Sequence, residues 1–480
     1  LGGYLRIKPF PSSMIFFNST RKQEWLLIQK NREFRTYKKV RFCMFSAVEI
    51  ISKIESGQLT ALEVTQACLD AIEATDSNIR AWEYINREAV IKRAVELDAH
   101  QFAGRRIGRL HGVPVGIKDI IDTADSPTAC GSPILRDRIP ENSARIVQLL
   151  EAEGAVIMGK TVTTEFAFMS PSKTRNPHNL DYSPGGSSAG SAAAIAAGHV
   201  PLAIGSQTNG SVIRPASFCG IFGLKPSAGI IPRVGVLETS DLLDQIGAFA
   251  NTIDDLALIC DVLADYDARD PQSFAMPRPD FHRAINSSNR DQKSVAWIMF
   301  DYMDELDADT LAGFEQIKSA LRSSVQQIDA RQSTASLLAA HKTIHETQLF
   351  QNLGSYVKTD RKHLSAPVLE ALERASSITR AEYNAAIKVR DEAIEFFENL
   401  FLEFDAIITP AALGEAPLLS EQTTGNPVCC TIWSLIGVPC ITLPVLSGAH
   451  GLPIGVQLVG KYADDEHLIE TSKWFLDILG

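Results

Sequence analysis

The stretch "YSPGGSSAGSAAAIAAG", residues 182–198, places two glycines and two serines in front of a run of alanines. A phosphate-binding loop would need a lysine directly after Gly190, and none follows. The Gly-x-Ser-x-Gly pattern of a nucleophile elbow is present with Ser188 in the nucleophile position, but an elbow directly follows a buried strand. The preceding residues 176–184, "NPHNLDYSP", are polar and contain prolines, so the elbow lacks its structural context.

A turn followed by a helix is the alternative that the residue types favour. Glycine adopts backbone conformations that other residues avoid, so Gly185 and Gly186 are suited to a tight turn. Ser187 or Ser188 would then cap a helix of small residues. Two other segments bear on whether these serines also carry chemistry.

A single lysine interrupts the apolar segment "VPVGIKDIID", residues 113–122. Burying a lysine is costly unless its charge is paired or lost, and Lys118 and Asp119 would point to opposite faces of a strand. Lowering a lysine pKa to about 7 takes about 4 to 5 kcal/mol of differential solvation, which burial can supply. Lys118 is therefore a candidate general base, and the alternative is a lysine whose ammonium reaches solvent at the strand end.

A turn that ends in a serine lies in "GSQTNGSVIRPAS", residues 205–217. Consecutive backbone N–H groups of Thr208, Asn209 and Gly210 can converge on one point, as a developing oxyanion requires. Ser211 would then be placed to attack the same carbonyl carbon. Taken alone, the segment fits an ordinary loop equally well.

Helical and strand patterns alternate along the chain, as in an α/β protein. A capping box of Thr60 with Glu63 marks one helix start. Further helices are predicted over residues 86–100, 143–153, 252–265, 308–325, 336–350 and 379–403. Strands are predicted within residues 113–121, 154–161, 200–207, 294–300, 405–411, 437–445 and 453–460, whereas 209–227 is predicted as a loop interrupted by glycine and proline. Because apolar strands occur at both ends of the chain, one large sheet is favoured over two sequential domains.

The charge is distributed unevenly along the 480 residues. Residues 1–43 contain ten Lys and Arg against two Glu, a balance of +8, so a net charge of −11 leaves −19 for residues 44–480. An acidic body argues against binding to nucleic acids and anionic membranes. We expect residues 1–43 to lie outside the fold and residues 44–480 to form the domain, with about 265–400 as a more helical lobe.

The eight cysteines show neither metal-ligand spacing nor a compact disulfide framework. We expect them to be small buried residues in a reducing compartment. No uninterrupted apolar run reaches the roughly 18 to 20 residues that span a bilayer. These features predict a cytoplasmic protein without a bound metal.

Together the segments around Lys118, Ser187 and Ser211 resemble the amidase signature family. Its sequences carry a lysine in "GVPVGIKD", a "PGGSSAGS" element and a nucleophilic serine in a segment like "GSQTNGSVIRPAS", in this order. Further segments similar to the family pattern extend the resemblance to about residues 46–476: 159–168, 218–227, 405–411, 425–445 and 451–460.

The resemblance implies a single large α/β domain with a central mixed, twisted β-sheet covered by helices on both faces. It also implies a Ser, cis-Ser, Lys triad, with Ser211 as the acyl-forming nucleophile. Ser187, preceded by a cis peptide bond, would be the bridging serine and Lys118 the base. Thr208, Asn209 and Gly210 would form the oxyanion hole, and neither a metal nor a cofactor is needed.

Three positions depart from the commonest family pattern at the nucleophile. Gln207 replaces an aspartate, Asn209 replaces the first glycine, and Arg214 comes three residues after Ser211 instead of two. Because asparagine tolerates a left-handed backbone, we expect the oxyanion turn to be intact. The arginine position resembles a malonamidase-like branch, in which this residue binds a substrate carboxylate, and its fork suits that task. A structural ion pair is the alternative for Arg214.

The resemblance therefore implies an amidase that hydrolyses a small carboxamide to a carboxylate and ammonia. Its predicted partner is a small-molecule amide, and a homodimer is left open. The alternative function within the family is that of the A subunit of a glutamyl-tRNA amidotransferase, although its nucleophile segment usually keeps two glycines and the earlier arginine. A catalytically inactive, binding-only relative is the other alternative, against which the presence of all three triad residues argues.

Overall fold

One mixed sheet of eleven strands organises the computed structural model, which describes residues 45–105, 108–287 and 291–479. The strands are β1 (Trp82–Tyr84), β2 (Pro114–Lys118), β3 (Val156–Thr161), β4 (Leu202–Gln207), β5 (Phe222–Lys225), β6 (Gln245–Ala250), β7 (Val295–Met299), β8 (Val325–Asp329), β9 (Ala406–Pro410), β10 (Cys440–Ser447) and β11 (Pro453–Val459). Their order across the sheet is β1-β3-β2-β4-β6-β5-β10-β11-β9-β7-β8. The prediction of one sheet built from both halves of the chain is confirmed.

Fifteen α-helices lie within the described residues and cover both faces of the sheet. They are α1 (Ala47–Glu55), α2 (Ala61–Ile79), α3 (Arg87–Phe102), α4 (Arg145–Ala152), α5 (Ala189–Ala196), α6 (Ile213–Cys219), α7 (Ile253–Leu263), α8 (Phe281–Ile285), α9 (Ala308–Leu321), α10 (Arg331–Leu353), α11 (Tyr356–Thr359), α12 (Ala366–Ala375), α13 (Arg380–Leu400), α14 (Val428–Ile436) and α15 (Asp465–Leu479). The predicted capping box is confirmed at the start of α2, where the Thr60 side chain accepts from the Glu63 N–H.

Three parallel strands, β3, β2 and β4, bring their carboxyl ends to the same edge of the sheet. In this register Lys118, the last residue of β2, lies opposite Thr161 on β3. Strand β4 ends at Gln207, immediately before the Thr208–Ser211 turn. Ligand sites of α/β sheets commonly form at such an edge, so the predicted lysine and serine segments meet where a site is expected.

The prediction of a loop over residues 209–227 is wrong for much of that segment. It contains α6 and β5, and α6 ends at Cys219 with Gly220 as its C-cap, whose φ of 63° lies in the left-handed region that favours glycine. Pro215 is the third residue of α6, in the first turn, where backbone N–H groups lack intrahelical acceptors. The glycine and proline therefore mark the ends of a short helix.

Residues 265–400 contain helices α8 to α13 together with β7 and β8. The strand predicted at residues 294–300 is confirmed as β7, but the helix predicted to continue to residue 325 ends at Leu321 and is followed by β8. The expectation for residues 1–43 concerns a segment outside the described residues. In the described part of the chain, no helix combines the length and apolar character needed to cross a bilayer.

Candidate active site

The ammonium group of Lys118 lies at the centre of a buried polar cluster. Its Nζ is 2.7 Å from the Ser187 Oγ and 2.8 Å from the Ser206 Oγ, and the side chain is fully buried. Burial lowers the pKa of Lys118 to about 7, against a smaller opposing effect of the Asp244 carboxylate. A substantial fraction of Lys118 is therefore neutral near pH 7 and able to accept a proton.

Asp119, the next residue, is directed to a second buried lysine. The Asp119 carboxylate lies 3.8 Å from Lys160 Nζ and accepts a hydrogen bond from the Ala129 N–H. Lys160 also donates to the hydroxyl of Thr128 at 2.8 Å. Burial lowers the pKa of Lys160 to about 8, and Asp119 opposes that shift. Lys118 is thus left with two hydroxyl groups as its hydrogen-bond partners among the described residues.

The two serines that follow Gly186 differ in their contacts. Ser187 follows a cis peptide bond after Gly186, and its hydroxyl contacts Lys118. Ser188 occupies the N-cap position before α5, but its hydroxyl donates to the Ser206 carbonyl at 3.2 Å and makes no capping hydrogen bond to the helix. The prediction that Ser187 or Ser188 caps this helix through its side chain is therefore wrong. Ser188 instead joins α5 to β4.

The alanine-rich helix α5 packs against the neighbouring backbone. Gly190 donates its N–H to the Val162 carbonyl at 2.9 Å. A Cβ at this position would lie 2.3 Å from the Ala81 carbonyl oxygen and 2.3 Å from the Val162 nitrogen. Only glycine permits this close approach, which holds the start of α5, and with it Ser187, close to the ends of β2 and β4.

The Thr208–Ser211 turn follows β4 directly. No described residue accepts a hydrogen bond from the backbone N–H groups of Thr208, Asn209, Gly210 or Ser211 outside regular helix and strand pairing. The Thr208 hydroxyl donates to the Asp244 carboxylate at 2.5 Å. Free N–H groups beside a serine form a geometry that can stabilise an oxyanion.

A cavity of about 400 Å³ opens over this turn and is lined by Thr208, Asn209, Gly210, Ser211 and Arg214. Residues 167–169 form another part of its wall. Helices α10 and α12 supply a further side, including the polar residues His341, Lys342, His345, Glu346, Glu370 and Arg374, and residues 426–428 with Thr431 complete the lining. Of the three proposed triad residues, Ser211 lines this cavity, whereas Lys118 and Ser187 do not.

Arg214 is buried below this cavity without a carboxylate partner among the described residues. Its Nη2 donates to the Gly186 carbonyl at 2.8 Å and to the Thr424 hydroxyl at 3.2 Å. Within the described ranges, no protein group accepts a hydrogen bond from its Nε or Nη1. No ion pair of Arg214 is therefore seen in the described part of the chain, and its Nε and Nη1 are buried without an acceptor.

A comparison with known protein families identifies the family of this chain. The family model described as Amidase matches residues 63–469. The chain belongs to the amidase signature family. It is accordingly a hydrolase that acts on the carbon–nitrogen bonds of amides.

Curated amidase relatives align along nearly the whole chain. The A subunit of the glutamyl-tRNA(Gln) amidotransferase from Carboxydothermus hydrogenoformans is 34% identical over 470 residues, covering 90% of this chain and 96% of the relative. The protein of the same name from Natranaerobius thermophilus is 31% identical, with coverages of 88% and 94%.

Solved amidase structures share the fold. A structure from a vestigial protein complex, described in relation to the origins of an s-triazine catabolic enzyme, matches with a TM-score of 0.85 and 27% identity, covering 90% of this chain and 98% of its own. The peptide amidase of Stenotrophomonas maltophilia matches with a TM-score of 0.79 and 26% identity, with coverages of 91% and 97%. The fold class predicted from the sequence is confirmed.

Sequence reasoning missed several residues of this amidase site. Ser206 contacts Lys118, and Asp244 holds Thr208. Ser206 lies in the 205–217 segment, on the buried strand β4. A polar side chain in a buried strand needs a hydrogen-bond partner, and this could have identified Ser206 from the sequence. Asp244 belongs to no recognised pattern. Over residues 45–105, 108–287 and 291–479, no three His, Cys, Asp or Glu side chains form a group that could hold a metal ion.

Proposed function

We propose that this amidase hydrolyses a small carboxamide to a carboxylate and ammonia through an acyl-enzyme on Ser211. The observation that carries the proposal is the 2.7 Å contact between the buried Lys118 Nζ and the Ser187 Oγ. Arg214 connects this pair to the cavity that Ser211 lines, because Arg214 lines the same cavity and donates to the carbonyl of Gly186, the residue before Ser187. A buried, partly neutral lysine in contact with a serine hydroxyl is a proton acceptor that can activate a second serine.

In the proposed reaction, neutral Lys118 takes the proton of the Ser187 hydroxyl while Ser187 takes the proton of Ser211. The Ser211 Oγ forms a bond to the amide carbon, and the carbonyl oxygen becomes negatively charged. Backbone N–H groups of Thr208, Asn209 and Gly210 are proposed to stabilise that charge. The carbon–nitrogen bond then breaks, and ammonia leaves with a proton returned along the same path.

Water completes the cycle by attacking the acyl carbon of Ser211. The relay removes one proton from this water, the ester bond breaks, and the carboxylate product and the Ser211 hydroxyl are released. Every proton taken up by Lys118 is therefore given back within one turnover.

Arg214 is proposed to favour substrates with a carboxylate or carbonyl near the scissile amide. Its Nε and Nη1 have no acceptor among the described residues, and a guanidinium can bind a carboxylate through two parallel hydrogen bonds. Such a substrate would supply the missing counter-charge. The resemblance to a malonamidase-like nucleophile segment supports the same preference.

The test combines product measurement with mapping of the nucleophile. Ammonia release from a panel of carboxamides and ureas should occur with the unsubstituted chain and disappear in Ser211→Ala. A fluorophosphonate adduct should map to Ser211, and Ser188→Ala is the matched control that should label normally. An adduct on Ser188, or full activity in Lys118→Ala, would overturn the proposal.

The role of the A subunit of a glutamyl-tRNA(Gln) amidotransferase is the second candidate, favoured by the curated relatives at 30% to 34% identity. The nucleophile segment, with Asn209 and with Arg214 three residues after Ser211, argues for an independent amidase. Ammonia release that requires glutamine, charged tRNA and added partner proteins would favour the amidotransferase. The same release from small amides by the isolated chain would favour the amidase.

We also propose that the protein is cytoplasmic and does not bind nucleic acid. Whether it forms a homodimer is left open. The seven described cysteines are all buried, as expected of small core residues, and the chain is acidic beyond residue 43. Cell fractionation would test the location. Light scattering after gel filtration, with and without added nucleic acid, would test the assembly.

A further inference from the structure

Three successive carbonyl groups of the Thr208–Ser211 turn are held by three different helices. Thr208 accepts from His341 Nε2 of α10 at 3.0 Å, Asn209 accepts from Ser434 Oγ of α14 at 2.5 Å, and Gly210 accepts from the Arg214 N–H of α6 at 3.0 Å. The first two contacts join residues that are 133 and 225 positions apart in the chain.

Holding a carbonyl also orients the N–H that follows it. In a trans peptide the C=O and the next N–H lie in one plane and point in opposite directions. The N–H groups of Asn209, Gly210 and Ser211 therefore point away from His341, Ser434 and the first turn of α6. These are N–H groups for which the described residues supply no acceptor.

We propose that His341 and Ser434 are positioning residues that hold the carbonyls of Thr208 and Asn209, so that the N–H groups of Asn209 and Gly210 are directed at the substrate's carbonyl oxygen. The inference rests on the proposed function, because it assigns a supporting role for the oxyanion turn. Neither side chain is proposed to contact the reacting atoms, and neither gains nor loses a proton during the reaction.

The contact of Ser434 depends on one of the departures from the common family pattern. Gln207 uses its side-chain oxygen to accept from the N–H groups of Val212 and Ile213, at 2.9 and 3.0 Å. This orientation leaves its Nε2 to donate to the Ser434 Oγ at 3.0 Å. Because Ser434 accepts from Gln207, its single hydroxyl proton is available for the Asn209 carbonyl. An aspartate at position 207 would have no such N–H.

The second departure, Asn209, is also held by α14. Its side-chain oxygen accepts from the Thr431 hydroxyl at 2.7 Å, one helical turn before Ser434. The two substituted positions of the nucleophile segment, Gln207 and Asn209, therefore both bind the same helix. In this chain α14 provides a rigid support for a turn that has one glycine fewer than the common pattern.

The protonation state of His341 allows it to donate to the Thr208 carbonyl at every pH of interest. A carbonyl has no proton, so the Nε2 that contacts Thr208 must carry the hydrogen. His341 is buried, and burial lowers its pKa to about 3. The imidazole is consequently neutral and keeps its Nε2 hydrogen throughout the range in which Lys118 titrates.

The experiment compares variants that remove the donor with variants that keep it. His341→Leu and Ser434→Ala remove the two contacts, whereas His341→Gln and Ser434→Thr retain an N–H or O–H donor. Ser336→Ala, on the exposed side of α10, is the control. The rate of Ser211 labelling by a fluorophosphonate is measured first, because its phosphoryl oxygen takes the oxyanion position, and kcat and KM for an amide follow.

We expect His341→Leu and Ser434→Ala to slow labelling and lower kcat by about tenfold to a hundredfold, with KM changed less than about twofold. His341→Gln and Ser434→Thr should recover most of the loss. Should His341→Leu fail to fold, His341→Asn replaces it, because the shorter amide does not reach Thr208.

Three outcomes would overturn the inference. Unchanged labelling and kcat in the folded donor-removing variants would show that the contacts do not position the turn. Equal losses in the donor-retaining variants would show that only packing matters. Absence of Ser211 labelling in the unsubstituted chain would overturn the proposed function and the inference with it. When the unsubstituted chain is labelled on Ser211, the variants test the inference alone.

Discussion

Acidification should inactivate this amidase by protonating Lys118. The side chain is fully buried, its two hydrogen-bond partners are neutral hydroxyl groups, and its pKa is lowered from 10.5 to about 7. That shift corresponds to about 5 kcal/mol of preference for the neutral amine over the ammonium. Because the neutral form is the base, kcat/KM should rise with pH up to about 7 and level off above it.

The expected magnitude follows from the neutral fraction of Lys118. Each unit of pH below about 7 should lower kcat/KM by about tenfold, whereas an unshifted lysine would give activity that rises to about pH 10. The assay is initial-rate ammonia release, with the Ser211 labelling rate measured over the same pH range. Labelling reports the first chemical step alone, so agreement between the two profiles assigns the inflection to that step.

Two lysine variants identify the group that titrates. Lys118→Ala should lose about 10²- to 10⁴-fold in kcat, and its residual activity should lack the inflection near pH 7. The double substitution Asp119→Asn with Lys160→Met is the matched control: it removes another buried lysine together with Asp119, whose pKa burial raises to about 7, and should retain the inflection. A profile without an inflection near pH 7, or one that survives in Lys118→Ala, would refute the assignment of Lys118 as the base.

Two further substitutions test the packing and the specificity of the site. Gly190→Ala should lower the free energy of unfolding in urea by about 1 to 3 kcal/mol, because the added Cβ would meet the backbone of Ala81 and Val162 at 2.3 Å. Equal or greater stability, as expected for alanine in an exposed helix, would contradict the close packing. Arg214→Met should raise KM by about tenfold or more for amides that carry a carboxylate and leave neutral amides within about twofold. An equal rise for both substrate classes would indicate a structural role.

Local patterns singled out Lys118, Ser187 and Ser211 as candidates, and the family resemblance joined them into one proposed site. Each of the three residues lies at a local backbone feature that a short segment specifies. Lys118 lies at a strand end, Ser187 follows a glycine turn, and Ser211 ends a turn after a strand. The apolar character of β2 favoured burial of Lys118, and the structure excludes the alternative of an ammonium that reaches solvent. These features depend on neighbouring residues, so they can be recognised without the fold.

Contacts between distant segments could not be predicted in the same way. His341 and Ser434 lie within helices whose residue patterns give no indication of the turn that they contact, and Asp244 belongs to no motif. The edge strand β8 was also missed, because its exposed polar residues lack the apolar alternation of a half-buried strand. Its pairing to β7 depends on the sheet, which short segments do not specify.

The proposed role of Arg214, whose Nε and Nη1 have no acceptor among the described residues, would link substrate binding to the stability of the folded chain. A buried guanidinium without a counter-charge disfavours the folded state, and a bound carboxylate relieves that penalty. A ligand that binds only the folded chain raises its stability by about 2.7 kcal/mol at a hundredfold excess over Kd. Melting curves recorded with unreactive carboxylic acids can therefore rank the groups that the site recognises. That ranking would test the proposed preference for acidic amides without any turnover assay.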